Sequence, residues 1–281
     1  MKIVTSISGG RTSAYVAANY PSDYLLFALV RVEDENCRFP DDKIRKEVED
    51  RIQAPFIGTV EDDLIIYTML DLEQYLGKKI DWVTGETYET LIHKVNYGYL
   101  PNIDRRYCTQ RLKIEPMFYW WQKNINSPVI MQIGFRSNEV DRANKMSARL
   151  NKDRLLSFKG IVGKRGKKNK WADVFWQQPK FPLIEDGLLK HDIVKFWEDK
   201  PIRFADYNNC VGCFHRSPLF LAKMYDLHPN KMNWFSNQEG KQRGKGSWRS
   251  DIKYDELKSW KSQRQLELYD FGGCDTGYCG I

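Results

Sequence analysis

The first twenty residues, MKIVTSISGGRTSAYVAANY, constrain the fold more than any other stretch of the chain. The apolar residues Ile3, Val4 and Ile7 predict a strand over 2–7, and the alanine-rich stretch after two glycines predicts a helix over 11–19. A glycine turn at this place lets the backbone approach an anion closely, and the helix N-terminus offers unpaired N–H groups. The segment therefore indicates a phosphate-binding turn, although a turn without a ligand would have the same residues.

Strand-like and helix-like segments alternate through the first half of the chain. Apolar runs predict strands at 24–30, near 56–57 and at 128–134, and an apolar residue at every fourth position predicts a helix over 41–53. Such alternation is typical of a doubly wound, mostly parallel α/β sheet with helices on both faces. In such sheets, ligands bind beyond the carboxyl ends of the strands, near the point where the strand order reverses.

Composition limits the class of protein. A chain of 281 residues with 42% hydrophobic residues can bury a large core. No apolar run approaches the roughly 18 residues of a membrane helix and no signal peptide is evident, so we expect a cytoplasmic protein without a membrane partner. Six cysteines in such a protein indicate metal binding or thiol chemistry rather than disulfides. The formal net charge of +7 indicates an anionic partner.

Two changes in composition divide the second half of the chain. Residues 159–170, KGIVGKRGKKNK, hold six basic residues and three glycines and predict a mobile surface loop. This loop would follow a nucleic-acid backbone, or it is simply solvated. Beyond Asn208 the sequence becomes rich in cysteines and aromatic residues. We therefore predict an α/β domain over 1–205 and a small cysteine-containing C-terminal subdomain over 206–281.

Three motifs in order along the first domain carry a family resemblance. Ser8–Ser13 resembles the SGGxDS phosphate loop of the adenine-nucleotide α-hydrolase superfamily, the N-type ATP pyrophosphatases. Arg106–Met117 resembles the Cys-Cys-x-x-Arg-Lys-x-x-Pro-Leu segment of the sulfonucleotide reductases, and Gly134–Glu139 resembles their substrate loop. The chain thus resembles the phosphoadenosine phosphosulfate reductase family, which implies an adenine-nucleotide α-hydrolase-like fold.

The resemblance implies a nucleotide site built from these motifs. Guanidinium groups suit phosphate and sulfate oxygens, and glycine and serine suit the loop that holds them. One departure is that Thr12 stands where the superfamily has an aspartate, so nucleotide binding is better supported than ATP cleavage. The expected nucleotide-binding residues are Ser8, Gly9, Gly10, Arg11, Thr12, Ser13, Arg111, Lys113, Gly134, Arg136 and Arg142.

The cysteines predict a metal centre. Cys210 and Cys213 have the C-x-x-C spacing that lets two thiolates bind one metal or cluster. Cys108 lies in the family motif at a cluster-ligand position, so the resemblance implies a 4Fe–4S cluster held by Cys108, Cys210, Cys213 and Cys279, with Cys274 as the alternative tail ligand. A zinc site of Cys210, Cys213, Cys274 and Cys279, or no metal at all, remains open.

Two further residues complete the site prediction. The family carries a nucleophilic cysteine near its C-terminus, and Cys274 is the candidate for that catalytic role, although the flanking glutamate and histidine of the family are missing. His215 follows the C-x-x-C turn and has the chemistry of a metal ligand or a substrate-orienting residue. We expect it instead to be a surface or helix-capping histidine.

The leading functional hypothesis is an adenine-nucleotide-dependent sulfur-transfer enzyme. In one mechanism ATP, with or without magnesium, activates a substrate oxygen, and sulfur then replaces it in a nucleotide or nucleic acid. In the other, a thiolate attacks the sulfur of phosphoadenosine phosphosulfate and sulfite leaves. Either mechanism would use a protein that donates sulfur or electrons. The hypothesis from another class is an inactive nucleotide- or nucleic-acid-binding module with structural zinc.

Overall fold

The computed structural model describes residues 1–240 and 246–260. Its strands are β1 Lys2–Ile7, β2 Tyr24–Leu29, β3 Ile80–Thr84, β4 Val129–Gln132, β5 Leu156–Arg165 and β6 Lys168–Lys180. Its helices are α1 Arg11–Asn19, α2 Asp42–Ile52, α3 Leu64–Leu76, α4 Tyr88–Thr90, α5 Tyr107–Thr109, α6 Glu115–Asn124, α7 Val140–Ser147, α8 Pro182–Glu185, α9 Lys190–Trp197, α10 Pro218–Leu227 and α11 Pro229–Gln238. The segments Leu91–Val95 and Gln110–Ile114 are π-helical.

In the described part of the chain, six strands form one sheet in the order β3-β2-β1-β4-β6-β5. All neighbouring strands are parallel except β5 and β6. The order reverses at β1, because β2 and β3 lie on one side of it and β4 on the other. This arrangement confirms the predicted α/β class with a mostly parallel sheet. It also puts the loops after β1 and β4 side by side at the reversal point.

Helices cover both faces of the sheet. Leu25 and Phe27 of β2 belong to a core that includes buried residues of α1, α2, α3 and α9. Leu26 and Ala28 belong to a second core with buried residues of α6 and α7. Because successive side chains of a strand point to opposite faces, the near-continuous apolar run of β2 serves both cores at once.

A third core joins distant parts of the chain. It packs Tyr88 and Leu91, from the first third of the sequence, against Val211, Trp234 and Trp248, from the predicted C-terminal part. The C-x-x-C segment is therefore anchored on residues of the N-terminal half. The division of the chain at residue 205 stays a prediction.

Two local predictions were wrong. Residues 159–170 form most of the antiparallel hairpin of β5 and β6, with a two-residue turn between Arg165 and Lys168. The alternation of buried and exposed residues along Leu156–Gly160 lets β5 pair with β6, and this pairing outweighs the lysine and glycine content that suggested a loop. Near residue 56 the structure has only isolated bridges at Gly58. None of the helices within the described ranges is long and apolar enough to cross a membrane.

Candidate active site

The turn after β1 is held by its two serines. The Ser8 backbone N–H donates to Ser13 Oγ at 3.1 Å, the two hydroxyl oxygens lie 3.1 Å apart, and Ser13 Oγ donates to the Gly10 carbonyl at 3.1 Å. Gly10 is extended and gives α1 no side-chain cap. The first-turn N–H groups of α1 therefore face the carboxyl end of β1 without a capping oxygen, an arrangement suited to an anion.

Two glycines fix how closely the neighbouring elements approach this turn. Gly9 has φ of +82°, and a Cβ added to it would lie 2.5 Å from Ile65 Cγ2. Gly134, in the loop after β4, would bring a Cβ to 3.3 Å from the Ser13 backbone N and from the Thr12 side chain. The structure thus brings Gly134 together with the turn, as expected for two loops at the reversal point of the sheet.

Arg136 and Arg142 share one carboxylate. Arg136 Nε and its backbone N–H both donate to Glu139 Oε2 at 3.0 Å, and Arg142 pairs with the other carboxylate oxygen. The Arg142 guanidinium also lies 4.4 Å from the centre of the Phe135 ring. Arg136 is buried, so Glu139 holds its guanidinium in place beside the loop after β4. This is the orienting role that chemistry suggests for an acid next to two arginines.

Arg11 and Arg111 lie in other surroundings. Arg11 donates to the Ala205 carbonyl at 3.5 Å and lies over the ring of Phe204 at 5.1 Å. Arg111 pairs with Glu115 at 2.8 Å and lines a groove of about 910 Å³ along the edge of β3. Their part in nucleotide binding stays a prediction that these contacts do not support.

Three of the four cysteines within the described residues, all except Cys37, line one cavity. A cavity of about 40 Å³ has a largely apolar wall that includes Cys108, Cys210, Cys213, Tyr88, Lys113 and His215, and it is called the cysteine cavity below. Residues 102 positions apart in sequence thus lie around one space, because α5 and the C-x-x-C turn both pack on the third core. Cys274 and Cys279 lie outside the described residues, so the tail ligand and the catalytic cysteine stay predictions.

The C-x-x-C turn is anchored by backbone hydrogen bonds. The Val211 N–H donates to the Val60 carbonyl at 2.9 Å, which ties the turn to the segment before α3. The Cys213 N–H donates to the Cys210 carbonyl at 3.1 Å, and the Arg216 N–H donates to the Cys213 carbonyl at 3.0 Å. Two consecutive turns therefore curl around the cysteine cavity and bring Cys210, Cys213 and His215 to its wall.

Burial dominates the electrostatics of these thiols. It raises the pKa of Cys108 and raises that of Cys210 well above the ordinary value, so both are neutral when nothing is bound. Among residues 1–240 and 246–260, no three histidine, cysteine, aspartate or glutamate side chains are placed to hold a single metal ion. The thiols line one cavity but do not meet at one point.

The sequence predicts a surface or helix-capping histidine at position 215. In the structure, His215 lies at the wall of the cysteine cavity instead. Burial lowers its pKa to about 4, with further contributions from Arg106 and Arg249, so the imidazole is neutral near pH 7. Its Nε2 is buried and has no hydrogen-bond partner among the described residues. Arg106 lines the same cavity, and its Nε is also buried without a hydrogen-bond partner among the described residues.

Lys113 connects the phosphate turn to the cysteine cavity. It lies in the π-helical segment Gln110–Ile114, and its side chain lines both the cysteine cavity and a small pocket formed with Ser8 and Met117. Its Nζ donates to Glu61 Oε1 at 2.8 Å, and Glu61 is only 2% exposed. A buried ion pair of Lys113 with Glu61 therefore lies between the two candidate centres.

Sequence reasoning missed the residues that hold Lys113. Glu61 opens the acidic run Glu61-Asp62-Asp63 before α3, which looks like an ordinary helix start. Its backbone carbonyl accepts from Lys231 Nζ at 2.6 Å, and Lys231 also donates to Asp63 at 2.7 Å. The only local signal is an acidic run next to an apolar helix, and nothing near Lys231 marks it as a partner.

The β5–β6 hairpin carries the basic residues that predicted a nucleic-acid contact. Its outer half is exposed, and Trp171 and Phe175 on β6 are 46% and 43% exposed. The basic residues of the segment 159–170 are Lys159, Lys164, Arg165, Lys167, Lys168 and Lys170. Cations interleaved with aromatic rings suit a nucleic acid, since phosphates attract the first and unpaired bases stack on the second.

Comparisons with protein-family models, curated proteins and solved structures found no match to this chain.

Proposed function

We propose that this chain is an adenine-nucleotide-dependent sulfur-transfer enzyme with its phosphate turn and its cysteine centre next to each other. The observation that carries the proposal is the position of Lys113, which lines both the pocket at Ser8 and the cysteine cavity. The Lys113 ammonium favours anionic phosphates at the pocket by Ser8, whereas at Cys210, besides burial, the Glu61 carboxylate raises the pKa of the thiol more than Lys113 lowers it. The resemblance to the phosphoadenosine phosphosulfate reductase family supports the same assignment.

The nucleotide would bind through its phosphates at the N-terminus of α1. The uncapped first turn, the Ser8 hydroxyl and Lys113 supply donors, and Gly134 leaves room beside Ser13. Glu139 keeps the guanidinium of Arg136 in a fixed orientation in the loop after β4. Thr12 is 4% exposed and replaces the usual aspartate, so metal-assisted ATP cleavage would depend on other groups.

The cysteine centre is assigned to a 4Fe–4S cluster on the family resemblance, with a zinc site as the alternative. Three thiols on the wall of one cavity are consistent with three of the ligands that the resemblance implies. Cys108, Cys210 and Cys213 would hold a 4Fe–4S cluster, which supplies iron-bound sulfur or electrons when present. The chain's own contribution is to bury the centre and to hold Lys113 beside it.

The acceptor that fits best is a nucleic acid or nucleotide. The exposed hairpin offers cations and aromatic rings on one ribbon, and β-ribbons of this kind bind nucleic acids in several protein classes. ATP would adenylate an oxygen of a base or of the backbone brought to the turn after β1, with release of pyrophosphate. Sulfide-level sulfur from the cluster or a donor protein would then displace AMP together with that oxygen.

Anaerobic purification tests the proposal. We expect about four iron and four labile sulfide per chain, a broad visible absorption band, and binding of ATP measured by titration calorimetry. Pyrophosphate release from ATP supports the thiolation mechanism, and sulfite release from phosphoadenosine phosphosulfate supports the reductase mechanism. A colourless protein with one zinc and no turnover of either nucleotide contradicts both and supports a binding module.

A matched pair of variants tests the role of Lys113. Lys113→Met should weaken ATP binding about tenfold, which corresponds to a loss of roughly 1.4 kcal/mol. Lys46→Met removes the same charge from an exposed position on α2 and should leave ATP binding unchanged. Equal affinities in the two variants contradict the assignment of Lys113 to the nucleotide site, provided that circular dichroism shows both to be folded.

A further inference from the structure

The wall of the cysteine cavity carries three thiols and one imidazole. The described residues that line it include no fourth cysteine, and His215 is the remaining side chain there with a nitrogen of the kind that binds iron. Tyr88 already hydrogen-bonds the Cys108 thiol, and Lys113 is paired with Glu61. The donor set that this part of the chain offers is therefore three sulfurs and one nitrogen.

The buried nitrogen of His215 needs a partner. Buried polar side-chain atoms are hydrogen-bonded in the large majority of cases, so an orphaned one calls for an explanation such as a bound ion or cofactor. Within the described residues six such atoms lack a partner, and two of them, His215 Nε2 and Arg106 Nε, belong to residues that line this one cavity. A single bound cluster would satisfy both nitrogens. His215 Nε2 would be a ligand to iron, and Arg106 Nε would donate its N–H to a sulfide.

The local backbone explains why His215 reaches this wall. The turns at Cys210–Cys213 and Cys213–Arg216 curl around the cavity, while Val211 and Phe214 between them are buried in the third core. Phe214 belongs to the third core and also lines the cavity, and His215 follows it directly on the wall that the cysteines also line. The histidine is thus part of the same structural unit as the C-x-x-C turn.

We infer that His215 is the fourth ligand of the cluster, through Nε2, together with Cys108, Cys210 and Cys213. This inference rests on the proposed iron–sulfur centre and makes Cys279 dispensable for it. A neutral imidazole in place of a thiolate makes the cluster less negative by one charge and easier to reduce. It also leaves both tail cysteines available for sulfur chemistry at the nucleotide.

Pulsed electron paramagnetic resonance of the full chain, reduced with dithionite, tests this inference. A histidine ligand gives a strong ¹⁴N hyperfine coupling, and growth with ¹⁵N-histidine replaces it with a ¹⁵N coupling, which separates His215 from Arg106. The coupling should be lost in His215→Ala and in His215→Cys. It should persist in Cys279→Ser and in His191→Ala, a control on a histidine side chain that is 74% exposed.

The outcomes separate this inference from the proposed function. A cluster without histidine coupling, or a cluster lost in Cys279→Ser, overturns the assignment of His215 while the iron–sulfur proposal stands. Absence of iron and labile sulfide from the unmodified chain overturns both. If His215→Ala loses the cluster, His215→Cys decides: a cluster without ¹⁴N coupling and with a lower reduction potential supports the inference, and a cluster that keeps the coupling overturns it.

Discussion

At the scale of single residues, the Glu61–Lys113 pair is the contact on which the site depends most. Glu61 is almost fully buried and Lys113 has a side chain only 16% exposed, so neither charge is well solvated. The positive charge of Lys113 and the negative charge of Glu61 compensate each other, and Lys231 donates a hydrogen bond to the Glu61 backbone carbonyl. Removing one partner of a buried pair leaves the other uncompensated, which costs more than the pair itself contributes.

Glu61→Gln should therefore lower the free energy of unfolding by about 3 kcal/mol. Urea titration followed by circular dichroism measures the change. The control is Glu35→Gln, which breaks an exposed pair with Arg38 and should cost less than about 0.5 kcal/mol. Equal losses in the two variants would show that the buried pair does not hold Lys113 in place.

A second residue-scale prediction concerns Cys37, which belongs to the third core and not to the cysteine cavity. Burial, with a smaller contribution from Asp34, raises its pKa from 9.0 to about 12. Between these values the native state keeps a proton that the unfolded state has lost, so stability falls as the pH rises. Between about pH 8.5 and 10.5, the unmodified protein should lose about 2 kcal/mol more than Cys37→Ala. If the free energy of unfolding changes with pH in the same way in both proteins, the raised pKa of Cys37 is contradicted.

At the scale of elements, the site is assembled where short, irregular segments meet regular ones. Cys108 on α5 and Lys113 in the following π-helix lie on one continuous helical stretch that leads into α6. π-helical turns are rare and are often found at functional sites. This stretch carries residues to the cysteine cavity, to the pocket at Ser8 and to the groove along β3.

The contact between the β4 loop and α1 yields an element-scale prediction. Gly134→Ala would bring a methyl group to 3.3 Å from the Ser13 backbone and push the loop away from the first turn of α1. ATP affinity should fall about tenfold, measured by calorimetry. The control is Gly77→Ala, which has φ of +58° and open space around it, and should lower stability without changing ATP affinity. Unchanged affinity in Gly134→Ala would separate the β4 loop from the nucleotide site.

The hairpin yields the other prediction at this scale. Replacing its four outermost basic residues with glutamine should weaken nucleic-acid binding and make its dependence on salt less steep, by about 3 in the slope of log K against log salt. Fluorescence anisotropy with a labelled oligonucleotide at several salt concentrations measures both. If the hairpin variant and the control variant have the same slope of log K against log salt, the hairpin does not contact the nucleic-acid backbone. The hairpin substitutions are at Lys164, Arg165, Lys167 and Lys168, and the charge-matched control has them at Lys43, Lys46, Lys123 and Lys195.

At the scale of the whole molecule, local patterns predicted the sheet and distant contacts escaped prediction. The β1–turn–α1 unit was predictable because strand, glycine turn and helix follow one another directly in sequence. The hairpin was missed because lysine and glycine content hid an alternation that only pairing with β6 reveals. The partners of Glu61 were missed because they lie 52 and 170 residues away, where no local pattern connects them.

The candidate site follows the same division. Cys108, Cys210 and Cys213 were predicted as one group, and the third core does bring them to one cavity. The position of His215 at this cavity is not predictable, since the burial of its Nε2 depends on packing that the sequence around it does not display. The reversal of strand order at β1 places the turn after β1 beside the loop after β4, and Lys113 connects that edge to the cysteines.

The central claim is that nucleotide and cysteine centre are neighbours across Lys113. The most direct test is the continuous-wave electron paramagnetic resonance spectrum of the dithionite-reduced protein, recorded with and without saturating ATP or phosphoadenosine phosphosulfate. We predict that at least one nucleotide shifts the g values in the unmodified protein, and that the shift is lost in Lys113→Met and kept in Lys46→Met. A cluster spectrum that neither nucleotide changes, although calorimetry shows binding, would contradict the account.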